Sequence, residues 1–488
     1  MSRLGRRGAL AAATALLSLA AVAPEPVPWP GGAAPDARAV AAARDLAIFK
    51  WRHDRYLEFN SAVENETETA VATILQAQID RGEFDIETIQ FYGRRLFQLP
   101  WRADLGLGGA RSDGRFEVVH TGDQPGLDSH ACEGCHSVGG FDGAGTFTQS
   151  PLLYGDGLRE SSATRRNPPA LLGLGLVQAL GVEMSAELAQ IAEEARARSA
   201  ASGAPVRLPL SARGVSFGAV TARPDGSLDT SEVLGVSADL IVRPFGWKGE
   251  RRLIRDFITD AARTHFGVIS HSDALAARGA PSARLGGGPD WEDPDGDGVR
   301  RELEEGIITT GALYLELVET PTQIPPSDPA LVARWASGER LFEQIGCAGC
   351  HVPSLQWSGR VLEEAPPGSP PYPVKLLTQG DPPRSGDQIA LYSDLRRHDM
   401  GEGLADRADS PLGVGRSVFL TRPLWGLAET APYLHDGAAA TIPDAILAHG
   451  GEAAAAREAF AALPPESASD LHVFLLSLTR APNLAMAR

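Results

Sequence analysis

Cys132-Glu133-Gly134-Cys135-His136 and Cys347-Ala348-Gly349-Cys350-His351 repeat one pattern, Cys-x-x-Cys-His, and together use all four cysteines of the chain. Two thiols one helical turn apart can each form a thioether with a vinyl group of a haem, and the adjoining histidine can then offer its imidazole to the iron. The spacing therefore predicts two covalently held c-type haems, the first on Cys132, Cys135 and His136 and the second on Cys347, Cys350 and His351. Zinc ribbons also pair Cys-x-x-Cys units, but about 12 to 20 residues apart, whereas these lie in different halves of the chain. A thioredoxin-like dithiol needs a single pair beside a βαβ pattern, and neither pair has that setting.

Several elements must deliver these motifs. Helical patterning runs from about Arg38 to Arg81, and a further helix is expected over Ile86 to Phe97. Pro321, Pro325, Pro326 and Pro329 mark a linker. Asp328-Pro329 then reads as an N-cap with proline at the first helical position. The helix that follows, carrying Leu331, Trp335, Phe342 and Ile345, leads to Cys347. A last helix over Ala468 to Leu478 puts Leu471, Phe474, Leu475 and Leu478 on one face and should pack across it. β-signals are few, and Ala186 to Leu228 reads as a helix-plus-loop insertion. The expected fold is mainly α: two cytochrome c-like haem domains, 116–320 and 330–488, behind an N-terminal helical extension in 24–115.

At 488 residues with a formal net charge of −17, the chain has room for two or three domains. Its charge speaks against nucleic acid, which is bound by neutralising phosphates with Lys and Arg. An acidic surface suits solubility and can steer a basic partner. Residues 1–23, with Arg3, Arg6 and Arg7 before an Ala/Leu run that ends at Ala21-Val22-Ala23, read as a secretory signal peptide. Residues 24–37, rich in Pro, Gly and Ala, read as a disordered leader. No later stretch approaches the ~18 apolar residues needed to span a bilayer. A periplasmic protein without a stable membrane anchor is expected.

Four further segments carry a resemblance: Arg166-Asn167-Pro168-Pro169-Ala170-Leu171-Leu172-Gly173, Phe245-Gly246-Trp247-Lys248-Gly249, Leu391-Tyr392-Ser393-Asp394-Leu395 with His398-Asp399-Met400-Gly401, and Ala431-Pro432-Tyr433-Leu434-His435-Asp436-Gly437. With the haem motifs they make the chain similar to the bacterial di-haem cytochrome c peroxidase superfamily, above all its di-haem oxidoreductase, putative peroxidase, family. In that superfamily the sixth ligand of the second haem falls about fourteen residues beyond the histidine of the His-Asp-Gly segment. Here that position is His449. The resemblance thus implies a bis-histidine second haem, His351 with His449, with Met400 and His398 as runners-up; His449 could instead simply cap a helix before Gly450-Gly451. Imidazole in place of thioether lowers an iron potential, which suits an electron relay. His435 is expected to bond locally or to a haem propionate.

The first haem is where the resemblance puts the chemistry. Relatives close this site with a histidine in the loop after the motif, yet Ser137 to Glu183 holds neither His nor Met. The site is expected to be open, with His53, His120, His130 and Met184 as alternative ligands. Trp247 matches the family's inter-haem tryptophan, against the plainer reading of a core tryptophan. His265 falls near the place of the family's distal catalytic glutamate. It could move a proton on bound hydrogen peroxide, ligate the haem, or lie on a helix surface. Asp256 and Gln178 are weaker distal candidates. The implied activity is peroxide reduction with electrons from a small c-type cytochrome or cupredoxin; oxidation of an organic or protein substrate, or electron carriage without catalysis, are the alternatives.

Asp293-Pro294-Asp295-Gly296-Asp297-Gly298, with Val299 and Glu304 following, fits a calcium loop: oxygen donors on Asp293, Asp295, Asp297, the Val299 carbonyl and Glu304, and glycine at the turn. An Asp/Gly turn capping a helix is the plainer reading. Gly214-Val215-Ser216-Phe217-Gly218 matches a nucleophile elbow in letters only, since no α/β sheet or triad accompanies it. Gly173-Leu174-Gly175 is too short for a dinucleotide loop.

Overall fold

The computed structural model describes residues 74–101, 119–121, 128–129, 131–146, 149–276, 302–321, 323, 325–374, 376 and 385–479. The signal-peptide and leader readings, most of the 38–81 helical pattern, His53, His130 and Asp293 to Val299 lie outside these residues. Helix outweighs strand in what is described. The helices are α1 (Gln76–Asp80), α2 (Ile86–Gln98), α3 (Cys132–Cys135), α4 (Leu174–Ser202), α5 (Ile254–Ala261), α6 (His271–Ala276), α7 (Glu305–Glu316), α8 (Pro329–Gln344), α9 (Ile442–Ala448), α10 (Ala454–Ala461) and α11 (Pro465–Leu476). Among the described residues no helix is long and apolar enough to cross a membrane.

Helix α2 forms where the sequence places it. The Asp85 side chain accepts from Thr88 N at 2.7 Å, and Ile89, Leu96 and Phe97 are buried. At its inner face Arg94 donates to Asp142 Oδ1 at 3.1 Å. Tyr314 of α7 donates to the same oxygen at 2.7 Å, so two helices grip the loop that follows the first haem motif. Helix α8 has the expected start, Asp328 accepting from Ala330 N at 2.9 Å. Helix α11 starts three residues before the expected Ala468, because Pro465 suits a first turn that needs no N–H donor there. The two pack closely: Phe342 and Phe474 have ring centroids 5.3 Å apart, and Arg334 Nε donates to Asp470 Oδ1 at 3.0 Å.

The region 186–228 departs from the helix-plus-loop expectation. Helix α4 reaches Ser202, and a three-stranded antiparallel sheet follows: β1 (Val206–Ala212), β2 (Val215–Ala222) and β3 (Leu228–Asp229). Ala212 pairs with Val215, leaving a two-residue turn in which Arg213 (φ 50°) and Gly214 (φ 79°) both adopt positive φ. That is the turn whose twist matches a hairpin. Pro209 within the alternating stretch hides the strand from sequence inspection. Ser216 is thus an exposed strand residue, with no helix after it, and Gly173-Leu174-Gly175 opens α4.

Helix α5 runs into a single π turn, Ala262–Phe266, which Gly267 ends. Such turns are rare and gather at functional sites. The largest apolar core among the described residues joins α4, the β1–β2 hairpin and α7 to residues on the far side of the linker, among them Leu355, Trp357, Leu391 and Trp425. A second core, with Phe342, Phe460, Leu471 and Phe474, lies around the second haem motif.

Candidate haem-binding and redox site

Both Cys-x-x-Cys-His motifs form tight turns that present their histidine inward. In α3 the backbone N–H of His136 donates to Cys132 O at 3.0 Å. His351 repeats this with Cys347 O at 3.0 Å. Each imidazole is then fixed by a main-chain acceptor: His136 Nδ1 donates to Pro169 O at 3.0 Å, and His351 Nδ1 to Tyr392 O at 2.9 Å. A carbonyl only accepts, so Nδ1 carries the proton and Nε2 keeps its lone pair. Burial pushes both groups down to about 4, which leaves them neutral, the form that binds a metal. All four cysteines are free. Burial raises Cys132 to about 12 and Cys135 and Cys347 to about 11. These are protonated thiols, suited to thioether formation and poorly suited to zinc, which takes thiolates.

Beside the second motif opens a cavity of about 520 Å³, within the usual range for cofactor sites. Cys347, Cys350 and His351 line it together with His449. His449 is the C-cap residue of α9, as the capping reading has it, and its ring also reaches this cavity. Its Nδ1 donates to Ala445 O at 2.6 Å, again freeing Nε2, and burial lowers its pKa. The two runners-up differ. Met400 and His398 both line the cavity. His398 spends both ring nitrogens, Nε2 on Asp394 Oδ2 and Nδ1 on Glu452 Oε2, each at 2.8 Å. Burial opposes its protonation, but those carboxylates push it up to about 10, so it is an imidazolium with no lone pair to give.

Trp247 lines the same cavity. Its indole Nε1 donates to Asn167 O at 2.7 Å, two residues from the carbonyl that holds His136. The segment Asn167-Pro168-Pro169 therefore links the histidine of the first motif to the tryptophan in the cavity of the second. Asn167 is pinned in turn: its N–H donates to His435 O at 2.7 Å, and its Nδ2 to Pro432 O at 2.9 Å.

Around the first motif the structure assembles a cluster that the sequence does not announce. Asp128 Oδ1 accepts from His265 Nδ1 at 3.1 Å, while its Oδ2 lies 2.8 Å from His120 Nε2. Burial favours the neutral acid, yet the two imidazoles hold Asp128 down at about 2. For His265 burial lowers the pKa, and Asp128 more than offsets it, so the net shift is upward. His265 sits on the π turn, and its charge opposes protonation of His136. Its neighbour Phe266 stacks on Trp101 at 5.0 Å and 9°, in the apolar cluster against which Cys132 packs.

Other distal candidates go elsewhere. Gln178 is a core residue: its Nε2 donates to Glu316 Oε1 at 2.6 Å and its Oε1 accepts from Ile254 N at 2.6 Å. Asp256 is exposed in the first turn of α5, where a carboxylate favours the helix dipole. Met184 is fully buried within α4. Glu304 is the N-cap residue of α7; its four partners in the calcium loop lie outside the described residues.

Asp406, which no sequence pattern singles out, gathers three of the resemblance segments. Its carboxylate takes both terminal nitrogens of Arg166, at 2.8 and 2.6 Å. It also meets Lys248 Nζ at 3.0 Å and His435 Nε2 at 3.5 Å. Burial works against the charge, but Arg166 and Lys248 hold Asp406 below the usual carboxylate range. Lys248 is wholly buried and its Nζ stands 3.7 Å from the centre of the Phe419 ring. His435 packs on that ring at 4.3 Å, and burial takes it down to about 4.

Residues 318–478 match the family described as di-haem oxidoreductase, putative peroxidase, the one the sequence motifs resemble. No curated protein matches the chain. Among solved structures it is similar to the diheme peroxidase BthA from Burkholderia thailandensis, with 15% identity, 82% of this chain and 90% of that one covered, and a TM-score of 0.37. It is also similar to a MauG-like protein associated with microbial copper homeostasis, with 16% identity, 62% and 88% covered, and a TM-score of 0.27. A third similarity is to hydrazine synthase of Kuenenia stuttgartiensis, with 20% identity, 41% of this chain covered and a TM-score of 0.23. The chain spans 65% of that synthase chain's length.

Proposed function

From the match of residues 318–478 to that family, we propose that this chain is an exported, periplasmic di-haem c-type oxidoreductase of peroxidase type, built as two cytochrome c-like haem domains. The haems, when bound, supply the reduction of one hydrogen peroxide by two electrons and two protons to two waters at the first centre, with electrons entering from a small c-type cytochrome or cupredoxin at the second. The observation that carries this reading is the shared setting of His136, His351 and His449. Each is half-buried, each has its pKa lowered by desolvation so that the ring is neutral, and each has Nδ1 tied to a backbone carbonyl and Nε2 left free. That is how proteins orient imidazole toward iron.

The chain's own residues then divide the work. Cys132 and Cys135, and Cys347 and Cys350, anchor the two haems. His136 would hold the first iron, and His351 with His449 would hold the second, which would then serve as an electron relay. Trp247 and the Asn167-Pro168-Pro169 segment provide the short path between the centres. His265, held through Nδ1 by Asp128, has Nε2 available to take a proton from the peroxide and return it to the leaving oxygen. Asp293, Asp295, Asp297, Val299 and Glu304 would hold Ca²⁺ ahead of α7.

Low-temperature EPR and optical spectra of the oxidised holoprotein, recorded before and after adding hydrogen peroxide, test this assignment. One high-spin and one low-spin bis-histidine haem are expected, with the high-spin signal consumed by peroxide. H449M should replace the bis-histidine signature with a His/Met one and raise the second potential. Two low-spin haems inert to peroxide would instead make the chain an electron carrier.

A further inference from the structure

Arg422 stands out among the cavity's polar groups. Val418-Phe419-Leu420-Thr421-Arg422-Pro423-Leu424-Trp425 is an apolar run broken by one cation, and that cation lines the cavity of the second motif. Its guanidinium carbon lies 5.8 Å from the Trp247 ring. Among the described residues no carboxylate pairs with it, and its pKa is pulled down to about 10 by burial alone. The contrast with its surroundings is sharp: Arg166, Arg94 and Arg255, also in the interior, each meet at least one carboxylate. Arg422 is half-buried, and a guanidinium shielded from water without a counter-charge is disfavoured, so a neighbouring anion is expected to occupy the space it faces. His435, which the sequence offers for a propionate, already has Asp406 on its Nε2 side and Phe419 against its ring.

We propose that Arg422 is the counter-ion of a propionate of the second haem, and that through this pair it holds that haem's charge beside Trp247. The fork of a guanidinium suits a carboxylate in two-point contact, and the ligand class is a carboxylate carried by the cofactor. The inference rests on the two-haem reading of the cavity but not on peroxide turnover. Arg422 acts as a positioning residue: it compensates the propionate, raises the potential of the second haem relative to an uncompensated carboxylate, and sets the electrostatic field at the indole.

The test is spectroelectrochemical titration of the holoprotein with R422Q and R422K, following each haem by its own band. R422Q should lower the midpoint of the second haem and leave the first in place. The reduced-to-oxidised ratio of the second haem at fixed poise should fall about tenfold, the scale of one charge-assisted bond. R422K, which keeps the charge, should recover most of the difference. An R422Q protein with both haems loaded and an unchanged second midpoint would overturn the proposal, whatever its peroxidase activity. If R422Q does not accumulate with haem, resonance Raman of the wild-type holoprotein decides. A propionate bending mode that stays fixed as pH falls through the range where free carboxylates protonate supports the pair. A mode that titrates like a free carboxylate removes it.

Discussion

At the scale of single residues, the acid–base group of the first site is defined by its partner. Asp128 fixes the proton of His265 on Nδ1 and raises its pKa. The free base that the proposed function assigns to proton transfer from peroxide therefore forms only as pH rises through that raised value. In the steady-state rate this gives an acid limb with an apparent pKa above the ordinary histidine value of about 6.5. Asp128→Asn should move the limb to lower pH, because the main raising influence is lost and burial is then opposed only by Asp260, and should reduce the limiting rate about ten- to a hundredfold. An unshifted limb would detach His265 from the chemistry. The sign for stability follows the same shift: a raised histidine contributes below its unfolded pKa, and the contribution is lost as pH rises through the folded one. D128N is accordingly expected to unfold more easily than wild type at acidic pH than at alkaline pH. His265 was found in the sequence only through a family register. Asp128 lies 137 residues away with nothing in its neighbourhood to mark it, and Arg422 could have been noticed as a cation stranded in an apolar run.

At the scale of elements, what the sequence made legible was set by local chemistry. Helices α2 and α8 carry side-chain caps on Asp85 and Asp328, and both begin where those caps predict. The hairpin β1–β2 is hidden in the sequence because Pro209 interrupts its alternation and its turn is Arg-Gly in place of Asn-Gly. The π turn at Ala262–Phe266 has no sequence signature, yet it places the two consecutive residues His265 and Phe266 on Asp128 and on Trp101. The crossing of α8 and α11 rests on Gly338, where an added Cβ would lie 2.1 Å from Asp470 O. Gly338→Ala must force the helices apart even though alanine is the better helix former. The expected cost is about 1–3 kcal/mol, read as a lower urea midpoint with loss of the native environment around the second haem. A neutral or stabilising G338A would mean that the crossing is looser than this contact implies.

At the scale of the whole molecule, the division into an earlier and a later haem region is crossed by shared packing. The principal core draws on both sides of the proline-rich linker, and Arg255 to Glu364 and Glu183 to Ser358 tie the sides by polar contacts. Asp406 is the densest of these ties. Arg166, Lys248 and His435 arrive from three distant segments to meet one carboxylate. Asp406→Ala would leave the buried Lys248 and the half-buried Arg166 without their carboxylate and should cost about 3–5 kcal/mol, a loss detectable as early thermal unfolding. Retention of wild-type stability would mean that water or another anion takes its place. Finally, the groups that fix the rings assigned to the proposed redox path are all main-chain carbonyls: Pro169 for His136, Tyr392 for His351, Ala445 for His449 and Asn167 for Trp247. Ordinary side-chain exchange at those four positions cannot delete the acceptors. The aim of the redox apparatus is thus insulated from mutational drift, free to keep its bearing while the surrounding sequence diverges, and an engineer wishing to re-aim it would have to reroute the chain.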